Sequence, residues 1–312
     1  MEKHNRFLFL TEGQLGDLQL LTPAIGALKN NSAHLILPLL LFHRRTYNNS
    51  NRYKEIVKST FSGTAEVFKN NSDVDEVLEI DRKYLKSLKG ISKLRAELKC
   101  IRFLKKMKFD TVIWSFPENR FVIYSYLTGA GTRIGQKNQS LRFLLTHHAD
   151  IDIKQNGVCK YYCGLLETIG VKTYSYDMKL ILSERDEIAG ENKLRNAGVD
   201  LSGKIICIHP GASAPNKIWP VEYFAYVINY IAANSIAQVI ICYNNYDAEI
   251  VEAFKKHVKH RIFEAETETI SELAAIMQQC ILCIVNNSGP RHLAAALGKK
   301  NIAIFTNYDN SE

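Results

Sequence analysis

"IVNNSGPRHLAAALGKKNIAIF", from Ile284 to Phe305, sets the architecture of the chain. An apolar run stops at two asparagines, and the corner Ser288-Gly289-Pro290 follows. An Ala/Leu-rich stretch then reads as helix, and a second apolar run begins at Asn301. This is a strand–turn–helix–strand unit, the repeating piece of a parallel α/β sheet. Ser288 suits a helix N-cap, and Pro290 fits the first turn, where its missing N–H costs nothing. Gly289 lets a ligand approach the backbone closely. The first N–H groups of the helix then point outward at the positive end of its dipole, which makes an anion site suited to phosphate. A capped turn with no ligand has the same spacing, so the rest of the chain must decide.

The alternation extends outward in both directions. Ahead of this unit the pattern predicts a helix over 186–197 ending at Gly198, a strand over 204–209 and a helix over 222–233. A strand over 239–242, a helix over 248–257, a strand over 261–263, a helix over 271–278 and a strand over 281–285 follow. The closing helix is 291–297 and the last strand 302–305. An earlier series has strands at 6–11, 34–39, 66–68, 77–80 and 111–115, helices at 18–29, 84–107 and 159–169, and a loop at 129–135. The polar stretch 172–179 separates the two series. With 312 residues, 46% of them hydrophobic, the chain is too long for one core. We read two doubly wound Rossmann-like domains, 1–177 and 178–312, facing a central cleft.

No apolar run is long enough to cross a membrane, and the N-terminus lacks the apolar segment and cleavage site of a signal peptide. A cytoplasmic protein is expected. Its seven cysteines read as structural thiols. Cys280 and Cys283 are three apart in an apparent strand, where they would face opposite sides and could not share a metal. The net charge of +8 is uneven. Residues 1–177 carry 27 Lys+Arg against 17 Asp+Glu, or +10, and residues 178–312 carry 13 against 15, or −2. The basic half should meet an acidic partner.

In such sheets ligands bind beyond the carboxyl ends of the strands. Three loops there carry chemistry. In "TEGQLGDLQLLTPAIGALK", Gly13 and Gly16 loosen the first turn. Asp17 stands at the helix start, where the dipole favours a carboxylate and where a plain capping role is the alternative. In "CIHPGASAPNKIWPVEYFAYVI", His209, Pro210 and Gly211 end a strand. Lys217 and Trp219 precede the helix opened by Pro220. A lysine there suits a diphosphate, although an ordinary solvated lysine would look the same. The third loop is the opening stretch. The first is not G-x-G-x-x-G, so a dinucleotide fingerprint is not supported.

Together these loops resemble glycosyltransferase family 9, the heptosyltransferases of lipopolysaccharide core synthesis. LGDLQLLTPAIGALK (15–29), HPGAS with K-x-W-P (209–220) and NSGPRHLAAALGK (287–299) carry the resemblance, with fainter echoes in FDTVIWS (109–115), GTRIG (131–135) and LLETIGV (165–171). It implies a GT-B fold and metal-independent transfer with inversion, with no cofactor besides a nucleotide-sugar donor, expected to be ADP-heptose. The expected acceptor is the inner core of lipopolysaccharide, Kdo-lipid A or heptosyl-Kdo-lipid A. The acceptor would be held by the N-terminal domain, through Gly16, Arg133 and Arg142, and the nucleotide sugar by the C-terminal one. Asp17 aligns with the general base and Lys217 with the diphosphate-contacting lysine. His209, Gly211, Asn287, Ser288, Gly289, Pro290 and His292 align with the donor site, and Glu249 falls near the ribose-holding acid.

The residues also stand on their own chemistry. An acceptor hydroxyl loses a proton as it attacks the anomeric carbon, and a carboxylate can take it. The departing diphosphate gathers charge that helix N–H groups and Lys217 can stabilise. Asn287 stands where the family usually has Asp, so another nucleotide sugar or acceptor is the competing enzyme reading. FTNYDNSE (305–312) stands where the family usually has a Phe-Gly-Pro-Thr type turn, and either the family's helical tail is expected to be shortened here or domain closure to be held differently, which leaves a non-catalytic nucleotide- or partner-binding relative as a third reading. The stretch 82–108 repeats Leu85, Leu88, Ile91, Leu94, Leu98, Ile101, Leu104 and Met107 at spacings of three and four amid Lys and Arg. It predicts one helix with these residues packed on the sheet and a basic outer face. That face is either merely solvated or docks on an anionic membrane surface, which would place the protein peripherally on the inner face of the cytoplasmic membrane. Nucleic acid is not expected, since no stacking platform accompanies the charge.

Overall fold

The computed structural model describes residues 5–12, 14–31, 35–36, 38–43, 57–59, 63–115 and 119–306. Gly13, residues 34 and 37 of the second expected strand, and residues 307–312 of the terminal segment lie outside them. The chain divides into two compact units, Met1–Met178 and Lys179–Glu312.

In the first unit β1 (Asn5–Glu12) leads into α1 (Leu15–Asn30). β2 (Leu35–Ile36), β3 (Pro38–His43), β4 (Val57–Ser59) and β5 (Glu76–Asp81) follow. Then come α2 (Arg82–Ser87), α3 (Gly90–Lys106), β6 (Thr111–Trp114) and α4 (Asn119–Leu127). β7 (Thr132–Gln136), β8 (His147–Ala149) and α5 (Ile153–Glu167) complete it. The sheet runs β4-β5-β3-β1-β6-β7-β8, with β2 also on β1, and is parallel except at β4. A parallel sheet is covered on both faces, which is why Thr111–Trp114 is buried throughout. Leu8, Leu10, Val112 and Trp114 pack on one side with Phe121 and Tyr124 of α4 and with Ala96, Cys100 and Leu104 of α3. α1 packs against α5.

Four expectations fail in this unit. Residues 66–68 belong to a 3₁₀ turn, Gly63–Phe68, not to a strand. The run is too short for its apolar content to distinguish the two. Residues 129–135 are largely strand β7, with the flanking glycines mistaken for loop signals. β4, β8 and α4 have no counterpart among the expected elements. The long helix over 84–107 is two, because Lys89 is extended and Gly90 sits at φ +53°, a left-handed angle that interrupts the helix. Within α3 the pattern also drifts, because its spacings, mostly of three, fall short of a helical turn. Leu85 and Leu104 are buried, and Leu88, Ile101 and Met107 pack against the core, but Ile91, Leu94 and Leu98 are exposed. The smaller Ala96 and Cys100 take the inner face of α3 instead.

The second unit follows its sequence pattern, except that the strand expected at 261–263 forms at Phe263–Glu266. α6 (Glu184–Asn196) starts with a reciprocal cap between Ser183 and Asp186. β9 (Ile205–His209), α7 (Val221–Asn234), β10 (Gln238–Tyr243) and α8 (Ala248–Lys255) follow. β11 (Phe263–Glu266), α9 (Ile270–Gln279), β12 (Leu282–Asn286), α10 (Gly289–Ala296) and β13 (Asn301–Ile304) complete the unit. The sheet is wholly parallel in the order β11-β10-β9-β12-β13. Ile206, Ile208, Val239, Ile241 and Ile284 meet Phe224, Ile228 and Phe254 in one core.

The argument that Cys280 and Cys283 face opposite sides of a strand needs correction. Cys280 caps the end of α9 and only Cys283 lies in β12, so the strand argument does not apply. Both thiols meet Cys207, together with Cys242. These contacts, with burial, raise the Cys207 thiol well above its usual range. All four are free. Among the described residues no group of three or more His, Cys, Asp or Glu is arranged to hold a metal ion.

Candidate functional site

Strand order places the site. In the second unit the chain winds outward from β9 to β10 and β11, then reverses to β12 and β13. The switch point is therefore between β9 and β12, where loops leave in opposite directions and open a crevice. The HPG loop follows β9 and the Asn-Asn-Ser-Gly-Pro corner follows β12. In the first unit β1 lies between β3 and β6, so the turn into α1 is the corresponding point there.

The second-unit crevice is organised by Asn286, the last residue of β12, which is wholly buried. Its side-chain N–H₂ donates to the carbonyl of Pro210 at 2.6 Å. Its side-chain oxygen accepts the backbone N–H of Trp219 at 3.2 Å. One amide thus ties the HPG loop, the Lys217 loop and the start of the α10 corner. Sequence reasoning chose its neighbour Asn287, whose backbone N–H continues the ladder to Ile304 at 2.9 Å and whose residue is only half-buried.

Ser288 is at the N-cap position of α10 but makes no side-chain cap bond. Its hydroxyl turns to the carbonyls of Gly211 and Asn286, 3.5 Å from each. Gly289 opens α10, and Pro290 is buried in its first turn. The Arg291 guanidinium lies 5.3 Å over the Phe305 ring. His292 is pushed down to about 4, chiefly by burial and then by the neighbouring Arg291 charge. Its imidazole is therefore neutral near pH 7, a hydrogen-bonding group rather than a cation.

Lys217 ends a 3₁₀ turn, Pro215–Lys217, that closes with its N–H on Ala214 at 3.0 Å. Thr306 donates to the Asn216 carbonyl at 2.8 Å, and Trp219 packs edge-on against Phe224 with centroids 5.0 Å apart. The loop is thus held on both sides of its lysine.

His209 and Asp247 are both buried, and each bears on the other's charge. Burial lowers His209 and raises Asp247, so both are driven toward their neutral forms. A Cβ added to Gly211 would fall on the Asp247 carboxylate, so no other residue fits there without displacing it. Asp247 was missed because it precedes α8 in the unremarkable NNYDAE. Glu249, the expected ribose partner, is exposed in the first turn of α8.

In the first unit, α1 begins at Leu15 rather than near 18, with Gln14 at its N-cap. Gly16 and Asp17 are consequently the second and third helical residues, and Asp17 is half-buried in the first turn. Arg133 of β7 donates through Nε to the Leu144 carbonyl at 2.7 Å and through a terminal nitrogen to Ala130 at 2.5 Å. Arg142 is exposed beside an open hollow of about 660 Å³ lined by Asn138, Gln139, Ser140 and Phe143.

Two units with parallel sheets flanked by helices form a GT-B type glycosyltransferase architecture. The profile of glycosyltransferase family 9 (heptosyltransferase) matches residues 97–312, and the chain belongs to that family. The lipooligosaccharide heptosyltransferase 2 of Campylobacter jejuni is 28% identical over 159 residues, 49% of this chain and 47% of that one. The alignments with such curated relatives span about half of their length. A glycosyltransferase family 9 structure from Veillonella parvula superposes with a TM-score of 0.81 at 22% identity, covering 98% of this chain and 83% of that one. The E. coli ADP-heptose LPS heptosyltransferase II superposes at 0.72 with 14% identity, covering 96% and 84%.

Proposed function

We propose that the protein is an inverting, metal-independent glycosyltransferase that moves a heptose from ADP-heptose to the inner core of lipopolysaccharide, on Kdo-lipid A or heptosyl-Kdo-lipid A. The observation that carries the reading is the Asn286 clamp at the switch point of the second sheet, which ties together two of the three loops of the family pattern. In this reading the second unit takes the donor and the first the acceptor. Asp17 accepts the proton of the acceptor hydroxyl as its oxygen bonds to the anomeric carbon. The bond from that carbon to the diphosphate oxygen breaks. The charge left on the nucleoside diphosphate is stabilised by the N-terminus of α10 and by Lys217, while neutral His292 offers a hydrogen bond. No cofactor beyond the nucleotide sugar takes part. The work is placed at the cytoplasmic face of the membrane, with the protein held there peripherally. Among the described residues no helix is long and apolar enough to cross a membrane.

Asn287 favours a second reading, transfer from a different nucleotide sugar, because it lacks the charge of the family's usual Asp. The test is melting with ADP, UDP and GDP, followed by transfer from radiolabelled ADP-heptose to Kdo-lipid A and to heptosyl-Kdo-lipid A. A shift with ADP and label in either lipid are expected. A shift with another nucleotide alone selects the second reading, and no shift with any nucleotide overturns both.

A further inference from the structure

The exposed side of α3 is not an ordinary solvated helix face. Ile91, Leu94 and Leu98 are exposed to 70%, 59% and 38%, and their spacing of three and four puts them in one stripe along the helix. They point away from Ala96, Cys100 and Leu104, which face the core. Lys93, Arg95, Lys99, Arg102, Lys105 and Lys106 are all exposed as well. The only acidic residue of α3, Glu97, is held by Arg120 of α4 at 2.6 Å. Six cations against one paired carboxylate leave the helix at +5. α4, fixed to α3 by that ion pair, exposes Ile123, Tyr126 and Leu127 in addition.

We propose that α3 is an in-plane membrane anchor, with Ile91, Leu94 and Leu98 entering the acyl boundary of an anionic bilayer and the flanking lysines and arginines lying among its headgroups. The charge selects the occupant. A protein partner for three aliphatic side chains would not need this density of cations, whereas an anionic leaflet meets the stripe and its flanks together. Charge alone would give binding that vanishes with salt, and insertion adds a part that salt does not screen. The arrangement goes beyond the donor site, since it fixes which side of the first unit meets the lipid that carries an acceptor.

Sedimentation with vesicles of phosphatidylcholine, alone or mixed with phosphatidylglycerol, tests this on the full chain. The parent should bind the anionic vesicles and retain part of that binding at about 0.5 M salt, where the Debye length is only a few ångströms. The combined Ile91→Ser, Leu94→Ser, Leu98→Ser variant should melt as the parent does, because these side chains are outside the core. It should bind about tenfold or more weakly and lose the salt-resistant part. In a second variant, Leu94→Trp, the fluorescence gained over the parent should be quenched by lipids brominated along the acyl chain. Parental binding by the serine variant, absence of that quenching, equal binding to neutral vesicles, or binding to neither would each overturn the proposal.

Discussion

The side chain of Asn286, itself wholly buried, accepts the backbone N–H of Trp219 at 3.2 Å while its own N–H₂ donates to the Pro210 carbonyl at 2.6 Å. A buried donor and a buried acceptor are satisfied by one residue, and losing either partner leaves a polar group dry. Asn286→Ala should cost about 1–3 kcal/mol of stability per orphaned group and weaken ADP binding, because both loops are released together. Asn286→Asp keeps an acceptor for Trp219 but, when ionised, sets a buried carboxylate against the Pro210 carbonyl, so its losses should equal or exceed those of alanine. Calorimetric ADP titration with thermal melts checks the ranking, and parental ADP affinity in the alanine variant would refute it.

The close fit of Gly211 against Asp247 makes a reciprocal prediction. Gly211→Ala should destabilise the second unit and impair nucleotide binding, because its methyl group takes the carboxylate's space. Asp247→Ala in the same protein should restore part of the loss. Residues in contact couple by about 0.5–3 kcal/mol, so a double-mutant cycle on melting free energies reads the effect directly. Additive losses would show that the carboxylate is not what excludes a side chain there.

His292 predicts a pH dependence. Its folded value lies near 4, below the ordinary 6.5, so the unfolded chain binds the proton more readily. The stability this residue contributes is complete above about 6.5 and falls as pH drops from there toward 4. The stability difference between the parent and His292→Gln should therefore shrink or reverse over that window and stay flat from pH 7 to 9. ADP affinity should show no step at pH 6.5 that depends on His292. Such a step would mean that the nucleotide binds the protonated ring.

Much of the second unit was legible because its strands are continuous apolar runs, such as Ile205–His209, that end at turn residues. The three loops could be found for the same reason, since each follows such a run. The family motif marks Asn287 and leaves the structural part of Asn286 without a signal. Adjacent asparagines differ only in which one still belongs to the strand and points inward, and that depends on where β13 pairs. The α3 stripe was misread because its spacing is that of a packed helix. Repeated steps of three fall short of the 3.6-residue turn, so within α3 the series drifts from an outward side at Ile91, Leu94 and Leu98 to an inward one at Leu104. Asp247 carries no local signal, as its role arises from Gly211 and His209 far away in the sequence.

Lys217 should act on the donor rather than on the fold. Its loop is anchored by Asn286 through Trp219 and by Thr306 through Asn216, so those supports remain when the side chain is cut back. Lys217→Ala should weaken ADP binding about tenfold or more, the scale of a lost charge-assisted contact, with little change in melting temperature. Lys217→Arg should recover only part, since a planar fork does not reproduce an ammonium point charge. Equal ADP affinity in parent and Lys217→Ala would remove the lysine from the diphosphate site.

Asp17 is the test of mechanism. It is the third residue of α1, at the turn that leaves β1 between β3 and β6. That is the switch point of the first sheet, where a ligand of this unit is expected. The N-terminal dipole favours a negative group there, and a weakly basic carboxylate can still accept a proton late in the transfer. Asp17→Asn preserves shape and most hydrogen bonding but cannot take the proton. Transfer should slow by roughly 100- to 10,000-fold. ADP affinity should be unchanged, because the groups proposed to hold the nucleotide, Lys217 and the N-terminus of α10, belong to the second unit. Melting should stay close to the parent, since asparagine keeps the size and most of the hydrogen-bonding capacity of the side chain. Rate, ADP affinity and melting temperature measured on one preparation separate the possibilities. Near-parental transfer removes Asp17 from the chemistry. Lost transfer with an equal loss of stability assigns it to the helix start alone. Lost transfer with intact folding and intact ADP binding leaves proton acceptance as the step it performs.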